Sequence, residues 1–361
     1  MTERIAIFNH KGGVGKTVSA YNIGWKYTEK GKKVLLVDGD SQVNLSAMVL
    51  GTDRFDAYYE DANTRSKNIK DGVLPVFDGQ PSAIEPFDCP TATNNDELFL
   101  LPGHPELSIY EGQLSLAQET AGSLSALKNL PGALSELVSE IEEYHDIDIT
   151  LIDLNPGLGA INQNFLMFCS SFIVPTNPDP FSAMAVKTLG EYLTRWTNWK
   201  KMHLDRFESA EYRLPGTVPK FLGTLNSRFN KHSSKAAKKF DERIRLVDGV
   251  VKDQLFPRLQ KNGMTYKKSC YKAAYEEWQA ELRYDIEGIY ALARIPDFQS
   301  LIHYANEDEV PVFSMDRAAL SAKGLYGNAL DNAVKNAESF NLIFNAIVEK
   351  IEILLDEDCS R

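Results

Sequence analysis

The sequence predicts a doubly wound α/β fold, a mostly parallel sheet with helices on both faces, and two patterns carry that reading. Short aliphatic and β-branched runs recur at Ile5 to Phe8, Val34 to Val37, Leu98 to Leu101, Ile149 to Ile152, Phe172 to Pro175 and Phe221 to Leu225, separated by stretches of helical period. Continuous apolar runs suit strands buried on both faces, with helices crossing between them. The second pattern is a glycine-rich turn placed directly after the first strand and opening a helix. With 361 residues, 43% of them hydrophobic and 25% charged, the chain is long and apolar enough to bury a large core.

The organisation predicted along the chain is one domain over 1–361 with three additions. Residues 53–97 are polar, rich in turn formers and without a clear period, and read as a surface excursion. Residues 228–290 carry helical patterning broken at Pro257 and Gly263, and read as a helical insertion between two late strands. Over 329–356, Leu330, Val334, Phe340, Leu342, Ile343, Ile347, Ile351 and Leu354 recur at near-helical spacing, which predicts a terminal amphipathic helix.

Composition narrows the function classes. Met1 to Arg4 lead straight into the first apolar run, so no signal peptide is expected and a cytoplasmic location is. Cys89, Cys169, Cys270 and Cys359 lie far apart and outside any C-x-x-C pair, which predicts neither a zinc site nor a disulfide framework. No apolar run reaches the roughly 18 residues of a membrane span. The net charge of −11 argues against a generally basic surface. Its distribution is uneven, with twelve Lys or Arg against four Asp or Glu between Arg228 and Lys268.

The chemistry is concentrated in Asn9-His10-Lys11-Gly12-Gly13-Val14-Gly15-Lys16-Thr17. Gly12, Gly13 and Gly15 permit positive φ and close backbone approach to phosphates. Lys16 places a charge near the β and γ phosphates, and the Thr17 hydroxyl suits Mg²⁺. The strict pattern G-x-x-x-x-G-K-[ST] fails at His10, and an extra lysine, Lys11, stands at the start of the loop.

This box resembles the deviant Walker A motif of the ParA/MinD ATPases, which implies a sheet of the P-loop NTPase type. Asp38-Gly39-Asp40-Ser41-Gln42-Val43-Asn44-Leu45 is similar to the family's switch I, and Ile152-Asp153-Leu154-Asn155-Pro156 to its Walker B and switch II. Leu101 to His104, Val174 to Pro178, Leu225-Asn226, Ile295-Pro296-Asp297 and Val310 to Val312 follow in the family's order, so the resemblance spans residues 3 to about 313. It implies ATP and Mg²⁺ as cofactors, an ATP-sandwiched homodimer, and ATP hydrolysis. It assigns phosphate contacts to the loop from Lys11 through Val18, Mg²⁺ to Thr17, Asp40 and Asp153, and the attacking water to Asp40. Lys11 would cross to the partner's nucleotide, as an arginine finger does elsewhere. Asn226 and Pro296 would flank adenine, or else serve as ordinary turn residues, and for Asp38 a capping role stands equally open. Val18 stands where a second threonine is usual, Val43 where a glycine is, and Leu154-Asn155 where Thr-Pro is, which implies slow hydrolysis.

Two roles remain open for such a switch. DNA or plasmid partition, or cargo positioning, would use non-specific DNA and a ParB-like activator. Lys231, Lys235, Lys238, Lys239, Arg243 and Arg245 would then form the DNA contact, although the same spacing fits a solvated helix. The alternative is a nucleotide-gated protein-interaction module, a regulator or defence component, whose excursions recruit another protein partner. A membrane role is not expected, because the chain end carries Glu349, Glu352, Asp356, Glu357 and Asp358 against Lys350 and Arg361.

Overall fold

The computed structural model describes residues 2–80, 82–229, 235–282 and 288–356; within these, side chains at 228–229, 235–240 and 279–282 are not described. Strand β1 (Glu3–Ile7) runs through the glycine loop into helix α1 (Lys16–Glu29), and β2 (Val34–Gly39) follows. Next come α2 (Asn44–Glu60), α3 (Ile69–Phe77), the two-residue β3 (Thr91–Ala92) and β4 (Asn95–Leu101). Helices α4 (Glu111–Thr120) and α5 (Leu130–His145) lead to β5 (Ile149–Leu154), α6 (Ala160–Phe168), β6 (Ser171–Thr176) and α7 (Ser182–His203). Strand β7 (Lys220–Phe229) is joined to β8 (Ala291–Pro296) through α8 (Lys235–Val250), α9 (Phe256–Lys261) and α10 (Lys268–Leu282). Helices α11 (Leu301–Glu307), α12 (Arg317–Ala322) and α13 (Gly327–Leu355) close the order.

The eight strands form one sheet in the order β3-β4-β2-β5-β1-β6-β7-β8. Every pairing is parallel except β3 with β4. Strands β2, β5, β6 and β8 are buried at every position, as the continuous apolar runs require of a sheet covered on both faces. The first strand sits centrally, between β5 and β6, so the loop that leaves its carboxyl end emerges at the point where the winding reverses. In open α/β sheets that crevice is where ligands bind.

The structure departs from the sequence reading in three places. Residues 53–97 hold the second half of α2, all of α3 and the β3 edge strand; a kink at Gly51 (φ 70°) and Pro75 inside α3 broke the period that would have revealed them. Pro257 does not end a helix. It lies in the first turn of α9, where a missing N–H costs nothing, and a π-helical turn over 251–255 joins α8 to α9. Gly263 (φ 75°) does mark the stop after α9. Cys270, buried on α10, is disulfide-bonded, whereas Cys89 and Cys169 are free and buried.

Terminal helix α13 spans 29 residues and docks its apolar stripe on the sheet side of the domain, with Phe340, Ile343, Phe344, Ile347 and Ile351 all buried. Lys350, 2% exposed, reaches the Leu292 carbonyl of β8 at 2.8 Å, so the helix is tied to the edge strand by a charged donor as well as by packing. Among the described residues no helix is long and apolar enough to cross a membrane.

Packing is tight enough to reverse an ordinary propensity rule at Gly132 in α5. A Cβ there would stand 2.0 Å from the Tyr212 carbonyl oxygen, which belongs to backbone and cannot swing aside. Gly132→Ala would gain about 1 kcal/mol of intrinsic helix propensity, yet we expect a net loss of about 1–3 kcal/mol from overpacking, read as a lower urea midpoint.

Candidate active site

A cleft of about 810 Å³ opens at the carboxyl ends of β1, β2 and β5. Residues 12 to 18 line it together with Asp40, Gln42, Asn44, Asp53, Pro156, Glu307 and Glu309. Gly13 and Gly15 take φ of 70° and 85°, the left-handed region that glycine alone enters freely. Gly15 is also the N-cap of α1 and supplies no side-chain cap, so the first N–H groups of the helix are left to meet a ligand.

Neighbouring side chains hold the loop in shape. Asn9, fully buried, donates to the Pro175 carbonyl at 2.7 Å and accepts from the Lys11 N–H at 3.0 Å. Asn177 donates to the Gly13 carbonyl at 2.9 Å. The Lys16 ammonium points back along the loop toward the carbonyls of Asn9 and Lys11, at 3.3 and 3.5 Å. Burial lowers its pKa, opposed by the neighbouring carboxylates Asp153 and Asp40.

Across the cleft the carboxylates are arranged by strand register, which sets Asp38 of β2 beside Asp153 of β5. Asp153 accepts the Thr17 hydroxyl at 2.6 Å through Oδ2, while its Oδ1 is buried without a protein partner. Burial and the charge of Asp38 push the Asp153 carboxyl well above the usual range. Asp38 accepts from the N–H and hydroxyl of Ser46, at 2.8 and 2.7 Å, and so anchors the first turn of α2; burial pushes its pKa up to about 6. That geometry is the capping role. Asp40 lines the cleft and accepts the Gln42 N–H at 3.0 Å.

Val43 takes φ 49°, a left-handed conformation that costs a β-branched residue roughly 1–2 kcal/mol, and its position at the start of α2 explains why a glycine is usual there.

Lys11 does not point into the cleft. Its ammonium is paired with Asp179 and lies 3.2 Å from the Ser182 hydroxyl, both at the start of α7. Asp179 is in turn fixed by the N–H groups of Phe181 and Ser182, and the Lys11 contact holds its pKa low against the opposing effect of burial. Asp179 and Ser182 were not singled out from the sequence, and Asn9 and Asn177 stood there only within longer motifs, with no role assigned. Their signal is the polar cluster Asn177-Pro178-Asp179 immediately beyond a strand's carboxyl end.

The structure also separates Asn226 and Pro296 from the cleft. Asn226, 1% exposed, accepts the Thr176 hydroxyl at 2.5 Å and donates to Asp248 of α8 at 3.4 Å. Asp248 faces Arg294 of β8 at 3.5 Å, so Asn226 belongs to a buried network that docks α8 on the sheet. Pro296 ends β8, buried, and lines neither the cleft nor the slot beside it. That slot, about 160 Å³, adjoins Gly15 and Val18 and is lined by Ser19, Ser227, Ile295, Asp297, Phe298 and Ile302, residues next to the two expected ones. Replacing Asn226 with Ala would take the acceptor from the buried Thr176 hydroxyl and one amide donor from Asp248. We expect a stability loss of about 1–3 kcal/mol by urea titration, with the affinity ratio of ATP to GTP unchanged.

Residues 2–205 match the AAA domain family. An uncharacterized protein of Methanocaldococcus jannaschii is 28% identical over 70% of this chain and 84% of its own length. The chromosome-partitioning ATPase Soj of Thermus thermophilus is 30% identical over 52% of this chain, and a putative replication protein A of Rhizobium rhizogenes is 26% identical over 63%. This chain spans 59% of the former and 55% of the latter. Among solved structures, a Cyanothece McdA variant in complex with ATP matches with a TM-score of 0.55, 16% identity and 96% coverage of both chains, a likeness of fold. The loop, the sheet order and the matched sequence agree, and the chain belongs to the ParA/MinD-like P-loop ATPases of the AAA domain family.

Proposed function

We propose that this chain is an ATP-binding, slowly hydrolysing switch that forms an ATP-bridged homodimer and acts in DNA or plasmid partition or in cargo positioning. The observation that carries the reading is the cleft itself, where left-handed glycines, the open N-terminus of α1, Lys16, and the Thr17 to Asp153 contact converge. Backbone N–H groups and Lys16 hold the phosphates, and Asp40 orients the attacking water. The residues fit Mg²⁺, since a hydroxyl and a carboxylate are hard oxygen donors and Asp153 Oδ1 is a buried acceptor in need of a partner. When bound, the ion neutralises charge on the phosphates. Among the described residues no three acidic, imidazole or thiol groups form a metal cage, so the nucleotide itself supplies further ligands.

The dimer reading rests on a shortage of positive charge. Around the phosphate loop one chain offers Lys16, set among Asp40, Asp53, Glu307 and Glu309, while Lys11 is held by Asp179. A triphosphate would be better balanced by a second lysine, and release of Lys11 toward a partner's nucleotide provides one. Partition is favoured by the Soj relative. The basic segment leaves the DNA contact to experiment. Lys231 lies outside the described residues, as do the side chains of Lys235, Lys238 and Lys239, while Arg243 is half-buried and Arg245 exposed on α8. We place the protein in the cytoplasm, with a ParB-like activator or another protein as stimulating partner.

If Lys11 must leave Asp179 to act across the interface, weakening the cis pair favours the dimer. Asp179→Asn should lower the protein concentration for half-maximal dimerisation in Mg²⁺-ATP by about 2- to 5-fold, the scale of a partly exposed ion pair. Lys11→Ala should remain monomeric by light scattering under the same conditions. A Lys11→Ala protein that dimerises like the wild type contradicts the exchange.

A further inference from the structure

The loop from Asn155 to Gly159 connects Asp153 to α6, and Pro156 within it lines the cleft 3.8 Å from where a Gly12 side chain would begin. Its position therefore decides where the Walker B strand end and the phosphate loop meet. The loop is clamped from α6 by Asn162, 1% exposed, whose amide donates to the Asn155 carbonyl (3.0 Å), the Asn155 side chain (2.8 Å) and the Gly157 carbonyl (2.9 Å). Where α6 begins is set in turn from outside, because Gly159, its N-cap, has no side chain with which to cap it.

Glu111, the first residue of α4, supplies that cap. Its two carboxylate oxygens accept from the N–H of Ala160 and, at 3.1 Å, from that of Ile161. Two turns along the same helix, Gln118 donates to the Ala160 carbonyl at 3.1 Å. Helix α4 thus grips the first residue of α6 by both its N–H and its C=O. A Cβ on Gly159 would stand 2.3 Å from Glu111 Oε1, so a larger residue there would displace the carboxylate, while the backbone, at φ −82°, makes no demand for glycine. An anion at a helix N-terminus is stabilised by the free N–H groups and the helix dipole.

We propose that Glu111 is a positioning residue for ATP hydrolysis: from α4, it fixes the N-terminus of α6 and thereby the loop that carries Pro156 against the phosphate loop. Glu111 does not line the cleft. Its loss should therefore spare nucleotide binding and impair the chemical step, which tolerates little misplacement. The inference rests on the proposed ATPase reading of the cleft.

The test is Glu111→Ala, with Glu111→Gln as the near-isosteric variant that keeps one acceptor and the fold. Hydrogen exchange of residues 155–165 and steady-state ATP turnover are measured with and without Mg²⁺-ATP, together with the Kd for ATP. We expect faster exchange in that segment, kcat reduced by about 10- to 100-fold for Ala and less for Gln, and Kd within about twofold of wild type. Unchanged exchange overturns the proposal, as does faster exchange with kcat within twofold of wild type. So does a loss in kcat matched by an equal loss of ATP binding. Should the wild type itself show no turnover, the ATPase reading fails, while the ATP-dependent difference in exchange between wild type and variants still decides whether Glu111 sets the loop.

Discussion

Lys16 and Asp40 line the cleft with Asp38 and Asp153 buried close by, and the rest of the site depends on how these charges are held. Strand register brings Asp38 and Asp153 side by side in the interior, Asp40 follows two residues on, and Lys16 is the one cation among them. Buried like charges repel, and each desolvated carboxylate favours its protonated form unless a cation or donor meets it. Asp38 is satisfied by Ser46, but Asp153 has Thr17 on one oxygen and nothing from the protein on the other. The protein's own groups thus leave the cleft short of positive charge, a condition that Mg²⁺ would relieve.

That constraint gives meaning to the position of Lys11. A lysine directed into the cleft would supply the missing charge in cis. Instead it is paired with Asp179 and Ser182 at the start of α7. The pair is partly exposed, with 23% and 29% of the two side chains accessible, so its strength is modest and it can be exchanged. The start of α7 therefore holds the lysine outside the cleft, and α4 holds the loop from Asn155 to Gly159 through α6.

Much of this was legible in the sequence because local chemistry and local position coincide. The glycine loop sits between a strand and a helix, so its residues reach the cleft wherever the rest of the chain goes. The buried strands were visible as continuous apolar runs, since a sheet covered on both faces has no alternation to hide them. What was not legible depends on tertiary pairing. Asn226 stands next to Ser227, which does line the slot beside the loop, but strand geometry turns alternate side chains to opposite sides, and a shift of one residue separates a ligand contact from a core network. The hold of Glu111 on α6 joins residues 49 apart and has no spacing signal at all. Helices in 53–97 were missed because a left-handed Gly51 and an internal proline interrupt the period.

Calorimetric titration of Mg²⁺-ATP into the wild-type chain and into Lys16→Ala tests the central claim most directly, with Mg²⁺ withheld in a parallel run. Binding by the wild type that weakens at least tenfold without Mg²⁺ and is lost in Lys16→Ala is what the account predicts. Equal binding by both proteins would contradict it, because the phosphates would then be held somewhere other than the loop that follows β1.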